Sequence, residues 1–443
     1  MSLRSPIPAA VAARWQRHRP TDGETPAPHR AAWWAIARTA ASRGANMAAL
    51  LLVTMLTTRA LGPVGRGHMA AAYGWVTLFG TLGYLSLSQV IAHRAARERP
   101  AAWVAESVGS LLAITAVATL VGWAVAASAF FVGWPPLFTA IPGPVLAVAF
   151  AGLPLLLLIE SASSILIGLG RLDTLNRAVL AGAGMSVLAT VVAVVVLHGG
   201  AAGGIAGLLA ANVVLVYVAL RAAHAAAGPF RATWAGARRL LHGGAQLHVT
   251  AVASFLSAQA GTLILSRYRP GAEVGQYHLA LQLTVALQLL SSAMSTVGYA
   301  KVTELGPDAA WTVQRRLLVA AIAATTLLSV VGAIAAPLIL RLVGGAAFLP
   351  AVPILRLLLL TTVGAAVSAV MASQWIARGL FLQVSATSLV CGAGAVVANL
   401  LLVPAHGAVG AAWSAVGTYA LGTLVNLGLA LRLELRWRRG ALS

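Results

Sequence analysis

The stretch TTRALGPVGRGH, residues 57–68, separates two long apolar runs. Its Gly-Pro-x-Gly centre predicts a tight turn, because proline fixes φ and glycine tolerates left-handed conformations. Arg59 and Arg66 bracket this turn. The glycines do not form a phosphate-binding P-loop, since the stretch lacks the Lys-Ser/Thr of that motif and leads into apolar sequence. We therefore predict a hairpin of two membrane helices.

The composition indicates an integral membrane protein. Hydrophobic residues make up 59% of the 443 residues and charged residues only 9%, whereas soluble domains have about 25% charged residues. The net charge of +20 comes from arginines at predicted helix ends, so we expect no nucleic-acid binding. A single cysteine, Cys391, excludes an internal disulfide. The widely spaced His198, His248, His278 and His406 predict no metal site, and we expect no cofactor.

Twelve apolar runs are long enough to cross a bilayer, which takes about 20 residues. They are 36–58, 68–92, 103–132, 142–168, 176–197, 202–223, 244–266, 276–300, 317–341, 352–376, 381–403 and 407–431. With the N-terminus inside, 24 of the 30 Lys and Arg residues fall on the cytoplasmic side, which predicts that both termini are cytoplasmic. The longest outer loop, 133–141, is too short for a catalytic domain. A membrane polymerase or ligase is therefore disfavoured, and we predict no catalytic residues.

The two halves of the chain carry related hairpins. TRALGPVGRGHMAAA (58–72) aligns without gaps to SRYRPGAEVGQYHLA (266–280), with Gly67 opposite Gly275. GGIAG (203–207) and HGAVG (406–410) also occupy corresponding places. This repeat predicts an all-α protein of two six-helix lobes in the same orientation, the parallel-repeat plan of several transporters. The expected segments are a disordered basic cytoplasmic tail at 1–35, an N-lobe at 36–224, a cytoplasmic linker at 225–243, a C-lobe at 244–431 and a basic cytoplasmic tail at 432–443.

Polar residues inside predicted spans are candidates for a substrate cavity, because polar groups in lipid usually face a cavity or another helix. In span seven the polar residues recur at helical spacing and lie on one face. The candidate cavity residues are Arg43, Asn46, Gln246, Thr250, Ser254, Ser257 and Gln282. The alternative is hydrogen bonding between helices and, for Arg43, extension of the side chain to the cytoplasmic surface.

Glu160 lies about 16 Å from the basic cytoplasmic end at Arg171 if the helix is regular, near mid-depth. It is a candidate proton or cation site for ion coupling. Alternatively, it is a structural carboxyl group satisfied by neighbouring serines. Four arginines fall in predicted outer turns, where they either line an outer gate or reach the outer membrane surface: Arg59, Arg66, Arg267 and Arg269.

Three segments carry a family resemblance. LLVTMLTTRALGPVGRGHMAAAYGW (51–75) resembles the first hairpin of Wzx-type polysaccharide flippases. LILSRYRPGAEVGQYHLALQL (263–283) resembles the family's span-seven-to-eight hairpin, and VVANLLLVPAHGAVGAAWSAVGTYA (396–420) resembles its last one. These flippases belong to the multidrug/oligosaccharidyl-lipid/polysaccharide (MOP) exporter superfamily, with the multidrug and toxin extrusion (MATE) exporters and the lipid II flippases.

The resemblance implies a flippase that works by alternating access. Its cargo would be an undecaprenyl-pyrophosphate-linked oligosaccharide, moved across the bacterial cytoplasmic membrane for surface polysaccharide biosynthesis. Implied partners are this glycan, membrane lipids, and a polysaccharide polymerase and glycosyltransferases; the protein would be a monomer. Cavity arginines, of which Arg43 is best placed, would pair with the diphosphate. A MATE-type cation-coupled exporter of small molecules is the alternative. The resemblance also implies an Asp in span seven, found in many members of the family, where this chain has Gly261; Glu160 would replace it or transport would be driven differently.

Overall fold

The computed structural model describes residues 29–95, 100–132, 138 and 141–441, and every regular element in these residues is a helix. Most of the predicted tail 1–35 lies outside the described residues, as does most of the predicted loop 133–141. The first helix begins at His29. Nine helical stretches in the described part of the chain are long and apolar enough to cross a membrane.

The helices of the first half, residues 29–227, are separated by short connections. They are α1 (His29–Tyr84), α2 (Leu87–Ala95), α3 (Pro100–Val132), α4 (Gly143–Ala151), α5 (Leu153–Gly168), α6 (Leu172–Thr190) with a π-helical extension (Val191–Val196), and α7 (Gly200–Ala227).

The second half, residues 234–441, is organised in the same manner. Its helices are α8 (Trp234–Tyr268), α9 (Gly271–Leu287), α10 (Leu289–Leu305), α11 (Trp311–Gly344), a 3-10 turn (Ala346–Ala351), α12 (Val352–Leu359), α13 (Thr361–Ala377) and α14 (Phe381–Ala441). Helix α14 continues through most of the predicted basic tail at 432–443. Of the predicted linker 225–243, only the six residues 228–233 are outside a helix. The hydroxyl of Thr233 caps α8 by accepting the Gly236 N–H at 2.9 Å.

Single glycines break the two longest helices. In α1, Gly62 has φ 63° and ψ −175°, and in α14, Gly407 has φ 56° and ψ −136°. Glycine adopts these conformations without the steric penalty of a Cβ atom. Pro63 then starts the second leg of α1, since its fixed φ suits the first turn of a helix. The predicted turn at 57–68 is therefore a one-residue kink, and Arg59 and Arg66 both lie in helical legs.

The apolar core is divided between the halves and their junction. The largest cluster includes buried residues from both halves, among them Met69, Trp75, Tyr277 and Leu355. A second cluster lies within the first half but also includes Leu240 from the beginning of α8. The third belongs to the second half. The junction of the halves is thus a packed interface, and the residues that line its gaps are candidates for function.

Candidate functional site

Arg66 lies at the junction of the two halves, near the start of the second leg of α1. Its side chain is only 2% exposed. One guanidinium nitrogen, Nη1, donates to Thr57 Oγ1 at 2.9 Å and contacts Met69 Sδ at 3.4 Å. The other, Nη2, donates to Gln282 Oε1 on α9. Gln282 also accepts a hydrogen bond from Thr54 at 3.2 Å, so one amide joins both legs of α1 to the second half.

The charge of Arg66 has no acidic partner among the described residues. None of the ion pairs in the described part of the chain includes it, and its Nε–H has no hydrogen-bond acceptor. Burying an unpaired charge is costly, whereas neutral hydrogen bonds compensate only part of the lost hydration. Arg66 is therefore a buried cation with donor capacity left for an anion.

A cavity of about 250 Å³ lies beside Arg66, and we call it the junction cavity. The first half contributes residues of α1 and Leu208 of α7, and the second half contributes residues of α8 and α9. The polar side chains among the lining residues are Thr54, Arg66, Tyr73, Gln259, His278 and Gln282. The Nδ1 atom of His278 is also without a partner. No acidic residue occurs among these described lining residues, so the cavity suits an anion with hydrogen-bond acceptors.

The two halves close tightly at the end of the bundle that carries the Gly62 and Gly407 kinks, here called the kinked end. A Cβ atom at Gly67 would overlap the carbonyl oxygen of Gly271, and one at Gly275 would overlap the carbonyl oxygen of Pro63. Only glycine allows backbones to approach so closely. Gly407 lies against the Glu273 carboxylate, which accepts the Ala408 N–H at 2.6 Å and so anchors the second leg of α14.

At the opposite end, Glu106 holds the beginning of α8 against the first half. Its carboxylate accepts hydrogen bonds from Thr233 Oγ1 at 2.9 Å, from Arg239 at 3.1 Å and from Arg94 at 3.2 Å. The Arg231 N–H also donates to the Ala105 carbonyl at 3.0 Å. The connection between the halves is therefore attached to the first half by charged and backbone contacts.

The predicted polar stripe of span seven does not line the junction cavity. Ser254 and Ser257 face a cavity inside the second half, between α8, α13 and α14. Thr250 donates to Ser385 Oγ of α14 at 3.2 Å, which is the helix–helix alternative considered above. The helix packs this face against α14 because both helices belong to the same half. Of the predicted cavity residues whose side chains the structure describes, only Gln282 lies beside Arg66.

The remaining candidates are spread over the bundle. Asn46 is exposed on α1, and the side chains of Arg43 and Gln246 lie outside the described part of the structure. Glu160 is exposed on α5, close enough to Tyr84 to interact with it electrostatically. Among the described residues it has no hydrogen-bond or ion-pair partner, so the serines expected to satisfy it do not do so.

The four arginines predicted at an outer gate lie in four different environments. Arg59 is exposed and donates to the Leu342 carbonyl of α11, which links the halves. Arg267 is exposed above the ring of Tyr268, 5.5 Å from its centroid. Arg269 donates to the Pro404 carbonyl at 2.9 Å, beside the kink of α14. Arg66 alone of the four is buried in the junction.

Sequence reasoning missed Thr57, Gln259 and His278 as neighbours of Arg66. One signal for His278 was available, because His278 and Gln282 are four residues apart on α9 and so share a helical face. No comparable signal identifies Thr57 or Gln259, whose positions depend on how the two halves pack.

Solved structures of low sequence identity share this fold. The lipid II flippase MurJ, in an inward closed conformation, superposes with a TM-score of 0.70 at 13% identity, covering 88% of this chain and 86% of MurJ. A multidrug resistance MATE transporter of the MOP superfamily gives 0.66 at 14% identity in its inward-facing conformation, covering 88% of this chain and 95% of the transporter. An outward-facing MATE transporter gives 0.56 at 14% identity, covering 91% and 96%.

The sequence profile of the family described as "Polysaccharide biosynthesis protein" matches residues 35–299, more than half of the chain. No curated protein sequence matches the chain. The fold is the one found in solved structures of MOP-superfamily transporters, and the described helices are those of a multi-pass membrane protein. The chain belongs to the polysaccharide biosynthesis protein family. The resemblance drawn from the three hairpin segments is thereby confirmed.

Proposed function

We propose that the protein is a flippase for undecaprenyl-pyrophosphate-linked oligosaccharide, moving it from the inner to the outer leaflet of the bacterial cytoplasmic membrane for surface polysaccharide biosynthesis. The observation that carries this proposal is Arg66, a buried guanidinium without an acidic partner beside a cavity between the two halves. A diphosphate would supply the missing negative charge. Guanidinium groups bind phosphate oxygens in bidentate geometry, and this favours a diphosphate over a cationic drug.

The same proposal assigns the transport cycle to movement of the two halves. We take them as six-helix lobes with twelve spans in all. The support is that Gly62 and Gly407 each divide one long helix into two legs, and that α9 and α10 together add a further segment. The kinked end faces outward, and its glycine contacts form the closed outer gate. Glu160 remains the candidate for ion coupling, because it is an exposed carboxylate in a spanning stretch without an ion partner.

A pair of arginines in one hairpin gives a matched test. Replacing Arg66 by Ala should reduce flipping at least about tenfold, since one charged hydrogen bond to the diphosphate contributes about 1.5–3 kcal/mol. Arg59→Ala should retain near-normal flipping, because Arg59 is exposed and contacts only a carbonyl among the described residues. The measurement is the outer-leaflet accessibility of the lipid-linked glycan in cells that depend on this protein. Normal flipping by Arg66→Ala at equal protein levels would refute the proposed role.

A MATE-type exporter of small molecules would have the same fold, and substrate charge distinguishes the two functions. A flippase should bind undecaprenyl pyrophosphate in an Arg66-dependent manner and should not transport lipophilic cations such as ethidium. An exporter should transport ethidium against a sodium or proton gradient and bind undecaprenyl pyrophosphate no better than undecaprenol. Ethidium transport that survives Arg66→Ala would favour the exporter.

A further inference from the structure

Two adjacent cavities lie inside the second half of the molecule, and together we call them the second-half cavity. Their volumes are about 280 and 80 Å³, and Ser257, Ala258 and Tyr419 line both. Residues with hydroxyl and amide groups from several helices line the larger one: Ser254, Ser368, Thr387, Ser388 and Asn426. Small-molecule sites in proteins combine apolar walls with a few placed polar groups in this way.

An acceptor atom in the smaller cavity has nothing to accept. Asn399 is only 3% exposed, and its Nδ2 donates to the Ala395 carbonyl at 2.7 Å and to Ser414 Oγ at 2.8 Å. Its Oδ1 atom has no hydrogen-bond partner. A buried amide oxygen left without a donor costs about 1–3 kcal/mol. Asn399 lines the cavity but its Oδ1 is buried from it, so a ligand that donates a hydrogen bond would satisfy the oxygen once the side chain turns toward the cavity.

The second-half cavity is electrically neutral. Among the described residues that line it, none is an acid, a base or a histidine. Gly261 lines the smaller cavity, and a Cβ atom there would overlap the hydroxyl oxygen of Tyr277. The ring of Tyr277 therefore occupies the space that a carboxylate would need. A cation bound at this depth would lack a compensating charge, which the membrane interior makes costly.

The second-half cavity lies next to the proposed diphosphate site. Its smaller part shares the lining residues Gln259, Leu281 and Val285 with the junction cavity that holds Arg66. A molecule with a diphosphate near Arg66 would therefore have a neutral, hydroxyl-lined space beside it. Sugars offer many O–H donors and acceptors without charge, and they suit the serine, threonine and asparagine groups found there.

We propose that the second-half cavity binds the sugar units of the lipid-linked glycan, while Arg66 binds its diphosphate. This assignment rests on the proposed flippase function and names the substrate part that the second half recognises. Asn399 Oδ1 accepts a sugar hydroxyl, and the serines of α8 and α14 donate to or accept from others. The serines that the sequence assigns to a cavity wall thus keep a substrate role, in the second half and not at the junction.

A reporter cysteine in the larger cavity tests the assignment. In the full-length protein with Cys391→Ala, Ser388→Cys places a single thiol in the cavity lining, and its reaction with N-ethylmaleimide is timed in lipid nanodiscs. Three conditions are compared. Two add a lipid, either the lipid-linked oligosaccharide fraction of the producing cells or undecaprenyl pyrophosphate. The third replaces potassium chloride in the buffer by sodium chloride. We expect the glycan-bearing fraction to slow the reaction about tenfold and the other two to leave it unchanged, because only sugars reach the thiol.

Each other result is decisive. Equal slowing by undecaprenyl pyrophosphate would mean that the thiol reports closure around the diphosphate, and slowing by sodium would mean a cation site; either overturns the sugar assignment. If the glycan fraction binds in an Arg66-dependent manner but does not slow the reaction of the thiol, the sugars bind elsewhere. The flippase proposal then remains intact. If neither lipid binds in an Arg66-dependent manner, the flippase proposal fails and the sugar assignment fails with it.

A variant whose side chain fills the larger cavity distinguishes sugar binding in that cavity from a change of conformation elsewhere. Ser388→Trp should weaken binding of the glycan-bearing lipid about tenfold and leave binding of undecaprenyl pyrophosphate unchanged. Leu389→Trp is the matched control, since Leu389 is the next residue of α14 and is 44% exposed on the outside of the bundle. An equal loss for both lipids in Ser388→Trp, with Leu389→Trp normal, would contradict a role limited to the sugars.

Discussion

Arg59 and Arg66 belong to one hairpin but have opposite environments. Arg59 is exposed and donates to a carbonyl of α11, whereas Arg66 is buried with Thr57 and Gln282. The difference follows from the single-residue kink at Gly62, because the second leg begins at once and carries Arg66 inward. A buried charge without an ion partner lowers the stability of the folded protein, unless a ligand supplies the counter-charge.

Stability measurements separate a ligand role for Arg66 from a structural one. Arg66→Met removes the buried charge and retains a long apolar side chain in a well-packed setting. Without substrate, we expect the melting temperature of the purified variant to equal or exceed that of the unmodified protein, while flipping is lost. Thermal unfolding in nanodiscs provides the measurement. A clear fall in melting temperature would instead make Arg66 a structural residue that joins the two halves.

At this scale the sequence pointed to only part of the candidate site. It identified Arg66 and Gln282 as functional candidates, but in separate roles, because the contact between them spans more than 200 positions. It assigned Arg66 to a surface turn, since charge counting treats every arginine near a helix end as interfacial. The sequence could not predict the unpartnered oxygen of Asn399, because its hydrogen bonding depends on the neighbouring helices.

The hairpin elements at the kinked end meet in a reciprocal manner. Gly67 of α1 packs on the Gly271 carbonyl of α9, and Gly275 of α9 packs on the Pro63 carbonyl of α1. Gly67 and Gly275 are 208 positions apart in the sequence, and so are Pro63 and Gly271. The gapless alignment of the two hairpins thus corresponds to a physical pairing of equivalent positions across the junction.

Bulky residues at these glycines should prevent closure of the kinked end. We expect Gly67→Val and Gly275→Val each to shift the protein toward a form open at that end, because the new side chain cannot fit against the facing carbonyl. The readout is the reaction of a cysteine at Thr57, in a Cys391→Ala background, with a membrane-impermeant thiol reagent added outside cells. Faster labelling in both variants is the expected outcome.

Gly184→Val is the control for this experiment, since a Cβ atom at Gly184 would meet no heavy atom within 4 Å. It should leave labelling unchanged. Labelling that stays slow in Gly67→Val and Gly275→Val, in properly inserted protein, would show that the glycines are packing residues and not part of a gate.

The existence of most elements could be predicted from apolar runs, whereas their ends and joints could not. Helix α8 begins at Trp234, ten residues before its apolar run at 244–266. Contacts with the first half stabilise the polar first turns of this helix. Similarly, α9 and α10 divide the predicted span 276–300 and extend beyond it. Tertiary contacts at membrane surfaces, which hydropathy does not register, decide such boundaries.

For the whole molecule, the connection between halves is attached to the first half. Glu106 binds Thr233, Arg239 and Arg94, and the Arg231 backbone binds the Ala105 carbonyl. In the proposed transport cycle, movement of the second half would therefore bend α8 or release these contacts. No residue of the Glu106 cluster is among the described residues that line the junction cavity, so we expect the cluster to affect motion and not substrate binding.

Loss of the Glu106 carboxylate should release the connection between halves. In Glu106→Ala, trypsin cleavage after Arg231 in inside-out membrane vesicles should accelerate about tenfold, since the two bonds that Thr233 and Arg239 make to the carboxylate are lost and local opening costs less free energy. Glu304→Ala is the control, because its pair with Lys301 is exposed and contributes little. Equal cleavage rates in Glu106→Ala and in the unmodified protein would mean that backbone contacts alone hold the connection.

The reciprocal glycine contact has an evolutionary consequence. An interface in which position i of one hairpin meets position j of the other, and j meets i, is the kind that joins identical subunits about a two-fold axis. A half-length ancestor with a single hairpin could have formed such a homodimer through its own surface. Fusion of two gene copies would then have made the dimer permanent, and each copy could diverge. In this chain the first hairpin has Arg66 where its counterpart has Val274, so the charge at the junction comes from one half while the glycine contact is symmetric.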